Sequence, residues 1–234
     1  MLDASRLGLS IELRDVSHRF GDRWVLNHVS LNLVEQRIGV VGSNGSGKST
    51  FARLLNGLVI PRHGSVQVDG LETRHHLKTV RRRVGFIFQN PDHQIILPTV
   101  AEDLAFGLRQ LKLSPSEISY RVDTMLDDYG LAPFRDHPAH LLSGGQKQLL
   151  AIAAVLIMQP RYLVFDEPTT LLDLRNRNRI GRLLWTLPQP MVVIAHDLEL
   201  LQEFDRILVF EDGQVIMDAP PAIALPAYVQ HMSC

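Results

Sequence analysis

The chain contains a single cysteine, Cys234, at its last position. Because a disulfide needs two thiols, no disulfide can form within the chain, and the sequence fits a reducing compartment such as the cytosol. Residues 1–8 lack the apolar run of a secretory signal peptide. The longest apolar stretch, residues 149–158, is shorter than the roughly 20 residues that cross a membrane. A role at a membrane would therefore need partner subunits that span it.

A strong excess of charge is also missing. The 24 basic and 25 acidic residues give a formal net charge of -1 over 234 residues. This balance argues against a surface that neutralises many phosphates, so no nucleic acid partner is expected. The clearest basic run, residues 81–83, is interpreted as a solvated face. No motif is duplicated, which predicts one large domain with an inserted lobe rather than a tandem protein.

The hydrophobic pattern changes along the chain. Alternating apolar positions in residues 9–33 predict antiparallel strands with one solvated face. The segment 91–159 reads as mostly helical. The remaining elements are expected in this order: a strand at 37–41, a helix at 48–57, strands near 66–68 and 84–88, a strand at 162–165, a helix at about 175–187, a strand at 191–195, a hairpin of 207–210 with 214–217, and a short tail from residue 219.

Alternation of strands and helices predicts an α/β fold with a mostly parallel core sheet. The sequence places an antiparallel β subdomain beside it and an inserted α-helical subdomain at about 91–159. Residues 1–90 and 160–234 form the remainder of what is expected to be one domain.

The segment GSNGSGKST at residues 42–50 lies between a predicted strand and a predicted helix. It matches the phosphate-loop pattern, in which glycines let backbone N–H groups face phosphate oxygens. Lys48 is expected between the β- and γ-phosphates, Ser49 on Mg²⁺, and Thr50 at the helix N-terminus that faces the anion. The predicted nucleotide contacts are Gly42, Ser43, Asn44, Gly45, Ser46, Gly47, Lys48, Ser49 and Thr50.

Polar side chains follow three of the predicted strands. Asp166 is placed to hold Mg²⁺, and the next carboxylate, Glu167, to polarise a water for attack on the γ-phosphate. His196 is predicted to contact the γ-phosphate and keep that water aligned. Gln89 is predicted to reach both Mg²⁺ and water through its amide.

A later segment, LSGGQ at residues 142–146, precedes a helix that is apolar nearly all round. Ser143 and Gln146 fit a capping box at the start of that helix. The glycines between them leave the N–H groups of the helix N-terminus open to an anion. The capping and anion-binding interpretations overlap here.

One aromatic residue and four histidines lie outside the motifs described so far. Phe20 is a candidate platform for adenine, and a place in the hydrophobic core explains it equally well. The histidines without a metal-ligand context are interpreted as surface or loop residues: His75, His76, His137 and His140.

The motifs in this order resemble the nucleotide-binding subunits of ATP-binding cassette (ABC) transporters along nearly the whole chain. The resemblance implies ATP and Mg²⁺ as cofactors and assigns the remaining roles: aromatic A-loop Phe20, Q-loop Gln89, signature residues Ser143, Gly144, Gly145 and Gln146, catalytic Glu167, D-loop Asp173 and switch His196. It also implies that the signature of one subunit closes over the ATP of another. A dimer, most simply a homodimer, with two shared sites is therefore expected.

Within that family, residues 88–92, Gln94 and residues 98–103 resemble the ATPases of energy-coupling factor importers for vitamins, cobalt and nickel. The resemblance implies a transmembrane coupling protein, a membrane protein that captures substrate, and a peripheral position on the cytoplasmic face of the inner membrane. His93 stands where the family often has an acidic residue, and Leu171 where it has a small one. The short length favours a vitamin importer, with biotin as the favoured substrate.

Two other classes of protein compete with this interpretation. Soluble cassette ATPases of DNA repair or translation usually carry coiled-coil insertions or two cassettes, and this chain has neither. In a phosphate-loop kinase or GTPase, Lys48 and Ser49 would keep their roles, but LSGGQ would have no purpose.

Overall fold

A computed structural model describes residues 10–233. The predictions made for residues 1–8, for the strand residue Leu9 and for Cys234 lie outside the described residues. In chain order the elements are β1 (Ile11–Phe20), β2 (Arg23–Leu33), β3 (Arg37–Gly42), α1 (Lys48–Leu55), β4 (His63–Val68), β5 (Leu71–Glu72), α2 (Leu77–Arg83), β6 (Val84–Ile87), α3 (Val100–Leu108), α4 (Pro115–Asp128), α5 (Gly144–Leu156), β7 (Tyr162–Asp166), α6 (Leu174–Thr186), β8 (Met191–Ile194), α7 (Leu198–Leu201), β9 (Arg206–Glu211), β10 (Gln214–Ala219) and α8 (Pro221–Met232).

The chain divides into two compact units. Among the described residues, the sheet unit comprises residues 10–86, Arg161–Glu167 and residues 188–233, and the helical unit comprises Ile87–Pro160 and Pro168–Leu187. The sequence pattern places residues 168–187 with the sheet instead, and its subdomain limits remain predictions.

Within residues 10–233, the core sheet has six strands in the order β10-β9-β3-β8-β7-β6. Strand β3 runs parallel to β8 and β9, and β7 runs parallel to β8, whereas β10 pairs antiparallel with β9. All residues of β7 and β8 are buried, which explains their continuous apolar sequence. Because parallel strands end at the same edge, the residues after β3, β7 and β8 come together there.

The part of the chain that the structure describes also forms a second sheet, whose four strands have the order β2-β1-β4-β5. Strands β1 and β2 form a hairpin in which Phe20 lies opposite Arg23. Apolar residues of this sheet are buried at alternating positions, as expected for an antiparallel sheet with one covered face. The parallel core sheet and the antiparallel sheet confirm the fold class predicted from the sequence.

Asp69 connects the start of β7 to the β4–β5 turn and to α2. Its carboxylate accepts hydrogen bonds from Tyr162 Oη at 2.5 Å, Arg83 Nη1 at 2.7 Å and Arg161 Nη1 at 2.8 Å. Burial and the neighbouring carboxylate raise the pKa of Tyr162 to about 12, so its phenol stays a donor. The interpretation of residues 81–83 as a purely solvated face is therefore wrong for Arg83, because its guanidinium pairs with a carboxylate of low exposure.

The helical unit confirms the helical character of residues 91–159. A complete capping box begins α3, where Thr99 accepts from the Glu102 N–H and the Glu102 carboxylate accepts from Thr99. Helix α5 is buried on most sides, as its apolar sequence predicts. None of the helices in residues 10–233 combines the length and apolar content needed to cross a bilayer.

Of the helices and strands named above for residues 10–233, four are not anticipated by the sequence pattern: β5, α2, α7 and α8. The segment interpreted as a short tail contains the helix α8, which packs against β9 and β10. Pro221 stands in its first turn, where proline costs no hydrogen bond, and Ala224 and Leu225 bury its inner side. The proline-rich sequence of this segment does not predict a helix, because a proline inside a helix usually interrupts it.

Candidate functional site

The phosphate loop connects β3 to α1, as the sequence predicts. Lys48 Nζ donates to the backbone oxygens of Gly42 and Ser43, both at 2.8 Å, so the ammonium lies across the mouth of the loop. The Phe51 N–H donates to the Gly47 oxygen at 2.9 Å and begins the helix. The N-terminus of α1 is therefore directed at the space that the phosphate loop encloses.

Two glycines of the loop are required by its backbone and its neighbours. Gly47 has φ 103°, and a Cβ there would come within 2.9 Å of Leu26 Cδ2. Gly42, the first glycine of the motif, has φ 152°, and a Cβ there would clash with the backbone oxygen of Phe210. The glycine spacing of the motif is therefore a geometric requirement of this loop.

Asp166, at the end of β7, lies against the start of α1. Its Oδ1 accepts a hydrogen bond from Ser49 Oγ at 2.9 Å, and its Oδ2 lies 3.8 Å from Arg53 Nη2. Burial raises the pKa of Asp166 above the usual value for aspartate. A hydroxyl and a carboxylate, both oxygen donors, therefore stand side by side.

These two oxygens fit a Mg²⁺ ion. Mg²⁺ commonly takes one or two protein oxygens and completes its octahedral shell with water and substrate phosphates. A site of that kind needs no larger set of ligands, and the described residues contain no group of three or more His, Cys, Asp or Glu side chains that could hold a metal.

Lys48 shares this buried region with two carboxylates. Only 5% of its surface is exposed. Burial lowers the pKa of its ammonium, and the negative charges of Glu167 and Asp166 oppose that decrease. A cation in such a region is strongly stabilised by an anionic ligand, because the surrounding dielectric constant is low. The loop is thus prepared for phosphate.

Glu167 and His196 form a pair at the edge of the core sheet. His196 Nε2 lies 3.1 Å from Glu167 Oε1, within hydrogen-bond distance. The backbone of Glu167 has φ 53°, although glutamate rarely adopts this left-handed region, and its N–H donates to the Ile194 oxygen at 3.0 Å. Strained backbone of this kind concentrates at functional sites.

Phe20 and Arg23 occupy the tip of the β1–β2 hairpin. Phe20 is 55% exposed and contacts the His18 ring edge-on, with centroids 4.8 Å apart, so it is not a core residue. Arg23 Nη2 lies 3.6 Å from the position that a Cβ on Gly45 would take. The hairpin therefore brings the Arg23 cation beside the phosphate loop. The sequence motif does not indicate this residue, because the motif contains no arginine.

Within the helical unit, the signature segment begins α5. Ser143 Oγ accepts from the Gln146 N–H at 3.4 Å, and Gln146 Oε1 accepts from the Ser143 N–H at 2.8 Å, so the capping box is confirmed. Gly145 packs against Asn176 of α6, whereas a Cβ on Gly144 would meet nothing. The exposed Ser143 and Gly144 leave this N-terminus accessible.

Asp173 and Gln89 also lie in the helical unit. Asp173 caps α6, its Oδ1 accepting from the Asn176 N–H at 2.8 Å and its Oδ2 from Asn176 Nδ2 at 3.0 Å. Gln89 follows β6 and is exposed. The structure thus brings Lys48, Ser49, Asp166, Glu167 and His196 together in the sheet unit, and the signature and Asp173 together in the helical unit.

Comparison with known proteins places these features in a family. The family model described as ABC transporter matches residues 26–170. The biotin transport ATP-binding protein BioM of Rhizobium etli is 46% identical over 94% of this chain and 98% of its own. The energy-coupling factor transporter ATP-binding protein EcfA1 of Clostridium perfringens is 41% identical over 86% of this chain and 74% of its own.

A solved structure shares the fold. The ATP-binding cassette MJ0796, solved as a dimer in a post-hydrolysis state with ADP and Pi, has a TM-score of 0.82 and 30% identity over 90% of this chain and 98% of its own. The phosphate loop with its buried lysine, the Ser49–Asp166 pair and the capped LSGGQ helix agree with these matches. The chain belongs to the ABC transporter family.

Proposed function

We propose that the chain is the ATP-hydrolysing subunit of an energy-coupling factor importer, and that it works as a dimer on the cytoplasmic face of the inner membrane. The observation that carries the proposal is the grouping of Lys48, Ser49, Asp166, Glu167 and His196 around one loop. That set contains a phosphate-binding cation, a pair of oxygen donors and a carboxylate–imidazole pair.

Each group has a definite role in ATP hydrolysis. Lys48 and the loop N–H groups bind the β- and γ-phosphates, with Thr50 in the first turn of α1. Ser49 and Asp166 would hold Mg²⁺, and the ion would supply positive charge to the phosphate oxygens. Glu167 accepts a proton from the attacking water, and His196, 3.1 Å from its carboxylate, holds Glu167 in place and contacts the γ-phosphate.

The nucleotide base is proposed to stack on the exposed ring of Phe20. Gly42, Ser43, Asn44, Gly45, Ser46 and Gly47 line the phosphates. Gln89 is proposed to contact Mg²⁺ and the attacking water. The phosphate-loop pattern supports the contacts of residues 42–47, and the exposure of the Phe20 ring at the hairpin tip supports stacking of the base.

The signature residues are proposed to act on the partner's ATP. Ser143, Gly144, Gly145 and Gln146 present the N-terminus of α5, and Asp173 begins α6 in the same unit. An exposed helix N-terminus stabilises phosphate oxygens. The dimeric assembly of MJ0796 supports a pair of subunits, which we propose to be two copies of this chain.

The transport role rests on the named relatives. A biotin transport protein and an energy-coupling factor protein share 46% and 41% identity with the chain. We therefore propose a transmembrane coupling protein and a substrate-capture protein as membrane partners. Biotin remains the favoured cargo, ahead of another vitamin, cobalt or nickel.

The catalytic assignment is tested by Glu167→Gln, which keeps the shape of the side chain but removes the base. The variant is expected to bind ATP as the wild type does, to lose at least about 100-fold in kcat, and to accumulate as an ATP-bound dimer. Lys48→Ala is the contrasting variant and should lose affinity for ATP. Steady-state hydrolysis and equilibrium binding measure both effects, and undiminished hydrolysis by Glu167→Gln would remove it from the role of base.

Co-purification tests the transport role. Gentle detergent extraction of cells that express the chain at its natural level should yield it together with a transmembrane protein. Full recovery in the supernatant without a membrane partner would favour a soluble non-transport cassette ATPase.

A further inference from the structure

Gln94 connects two segments of the helical unit through one carboxamide. Its Oε1 accepts a hydrogen bond from the Phe88 N–H at 3.3 Å, and its Nε2 donates to the Ala151 oxygen at 2.7 Å. Phe88 immediately precedes Gln89, and Ala151 lies in the middle of α5. The side chain therefore joins the backbone beside Gln89 to the helix that begins at the signature.

The partners of this amide determine its orientation. A backbone N–H only donates and a backbone oxygen only accepts, so the amide oxygen must face Phe88 and the nitrogen must face Ala151. Glutamine is the side chain of this length that offers both functions at once. An ionised glutamate at this position would keep the acceptor but present a charged oxygen to the Ala151 carbonyl.

A second contact joins the same two segments. Lys147, the residue after the signature, places its Nζ 2.7 Å from Asp92 Oδ1, and its side chain is only 18% exposed. The Asp92 N–H in turn donates to Asn90 Oδ1 at 3.0 Å, which fixes the turn after Gln89. Both contacts hold α5 against the segment that follows Gln89, one near its N-terminus and one at its centre.

The rest of the segment is also fixed. The buried Asp103 of α3 accepts hydrogen bonds through Oδ1 from the N–H groups of Ile96 at 2.8 Å and Leu97 at 2.9 Å. Gln94 thus lies in a loop whose backbone is held on both sides. A fixed loop can transmit a displacement, because its own backbone does not absorb it.

We propose that Gln94 is a positioning residue that makes Gln89's backbone and the signature helix move as one body. The proposal rests on the proposed function, in which Gln89 contacts the chain's own nucleotide site and the signature contacts the partner's. A displacement of Gln89 when ATP is bound would then be passed directly to the signature that serves the second ATP. The bond to Ala151 is not needed to complete α5, because the helix continues through Leu156.

The test compares three variants in the complete transporter complex. Gln94→Glu removes the donor at nearly constant shape, Gln94→Met removes both polar functions without adding charge, and Gln110→Glu adds the same charge at an exposed position of the same unit. The measurements are affinity for ATP, kcat and KM for hydrolysis, and the midpoint of thermal unfolding.

Both Gln94 variants should lose about tenfold to 100-fold in kcat, since small displacements of catalytic groups cost that much. Their affinity for ATP should stay within about twofold of wild type, because the phosphate loop belongs to the other unit. Gln110→Glu should match the wild type throughout. A fall in kcat in both variants with retained affinity and a folded protein supports positioning.

Three results would overturn the proposal. One is wild-type kcat in Gln94→Met, and another is equal loss of kcat in Gln110→Glu. The third is a loss of kcat that disappears when the variant is assayed at a temperature lowered by as much as its unfolding midpoint has fallen. Such a result would show that Gln94 has a structural role alone. Absence of hydrolysis in the wild-type complex would instead contradict the proposed function.

Discussion

At the scale of single residues, the site combines groups whose burial is costly. Asp166 is 3% exposed, and burial raises its pKa, which means that the ionised carboxylate is less stable in the folded protein than in water. Ser49 and Arg53 offset part of this cost. Such a carboxylate is retained for what it binds, because an uncharged side chain would serve the fold better.

This cost can be measured with Asp166→Asn. The amide keeps the acceptor for Ser49 and removes the buried charge, so the nucleotide-free variant should unfold about 2–4 °C higher than wild type at about pH 7. The control, Asp22→Asn, removes an exposed carboxylate and should not shift the midpoint.

The sign of the pH dependence follows from the raised pKa. Asp166 binds its proton more readily in the folded than in the unfolded chain, so the penalty exists above its folded pKa and disappears as pH falls through that pKa. The gain in Asp166→Asn should therefore shrink between about pH 7 and about pH 4. A gain that is constant over this range would assign the effect to packing rather than to charge.

Some residues of the site could be predicted from the sequence and others could not. The phosphate loop follows from a fixed spacing, because a loop that wraps phosphate tolerates few alternatives. Asp166 follows from its place directly after a continuous apolar strand. Arg23 is brought to Gly45 by the register of a hairpin, and Arg53 reaches Asp166 from one turn inside α1. Contacts between residues distant in sequence depend on tertiary structure, and no local pattern records them.

At the scale of elements, the packing of α5 on α6 explains one glycine of the signature and leaves the other free. A Cβ on Gly145 would come within 2.7 Å of Asn176 Nδ2, whereas a Cβ on Gly144 would contact nothing within 4 Å. Gly144 is therefore expected to serve the partner's nucleotide, and Gly145 to serve the fold as well.

Alanine at each glycine separates the two roles. Gly145→Ala should lower the free energy of unfolding by about 1–3 kcal/mol through overpacking against α6. Gly144→Ala should leave it unchanged or raise it by up to about 1 kcal/mol, because alanine favours the helix. Chemical denaturation of both variants measures the difference, and equal destabilisation would rule out the contact with Asn176 as its cause.

Long, strongly patterned elements could be predicted from the sequence, whereas short or proline-containing ones could not. Strands β7 and β8 are continuous apolar runs and appear where expected. Strand β5 has only two residues, and α8 contains Pro226 within it, so neither has a recognisable pattern. Both are held by neighbours: β5 by pairing with β4, and α8 by packing on β9 and β10.

At the scale of the whole molecule, the functional groups are divided between two units. The sheet unit holds the phosphate loop, Asp166, Glu167 and His196, while the helical unit holds Gln89, the signature and Asp173. The identity of the motifs and their order along the chain are visible in the sequence itself. That the chain works in pairs is implied by family resemblance and supported by the dimeric relative, and it is the central claim of the proposed function.

The most direct test of that claim mixes two inactive variants. Lys48→Ala disables the phosphate loop, and Ser143→Arg blocks the signature, so each homodimer has two defective sites. In a mixed dimer both defects meet in one site and leave the other intact. If the signature serves the partner's ATP, mixing should restore hydrolysis to about a quarter of wild type, since about half of the dimers are mixed and each has one intact site. A mixture as inactive as either variant alone would contradict the claim.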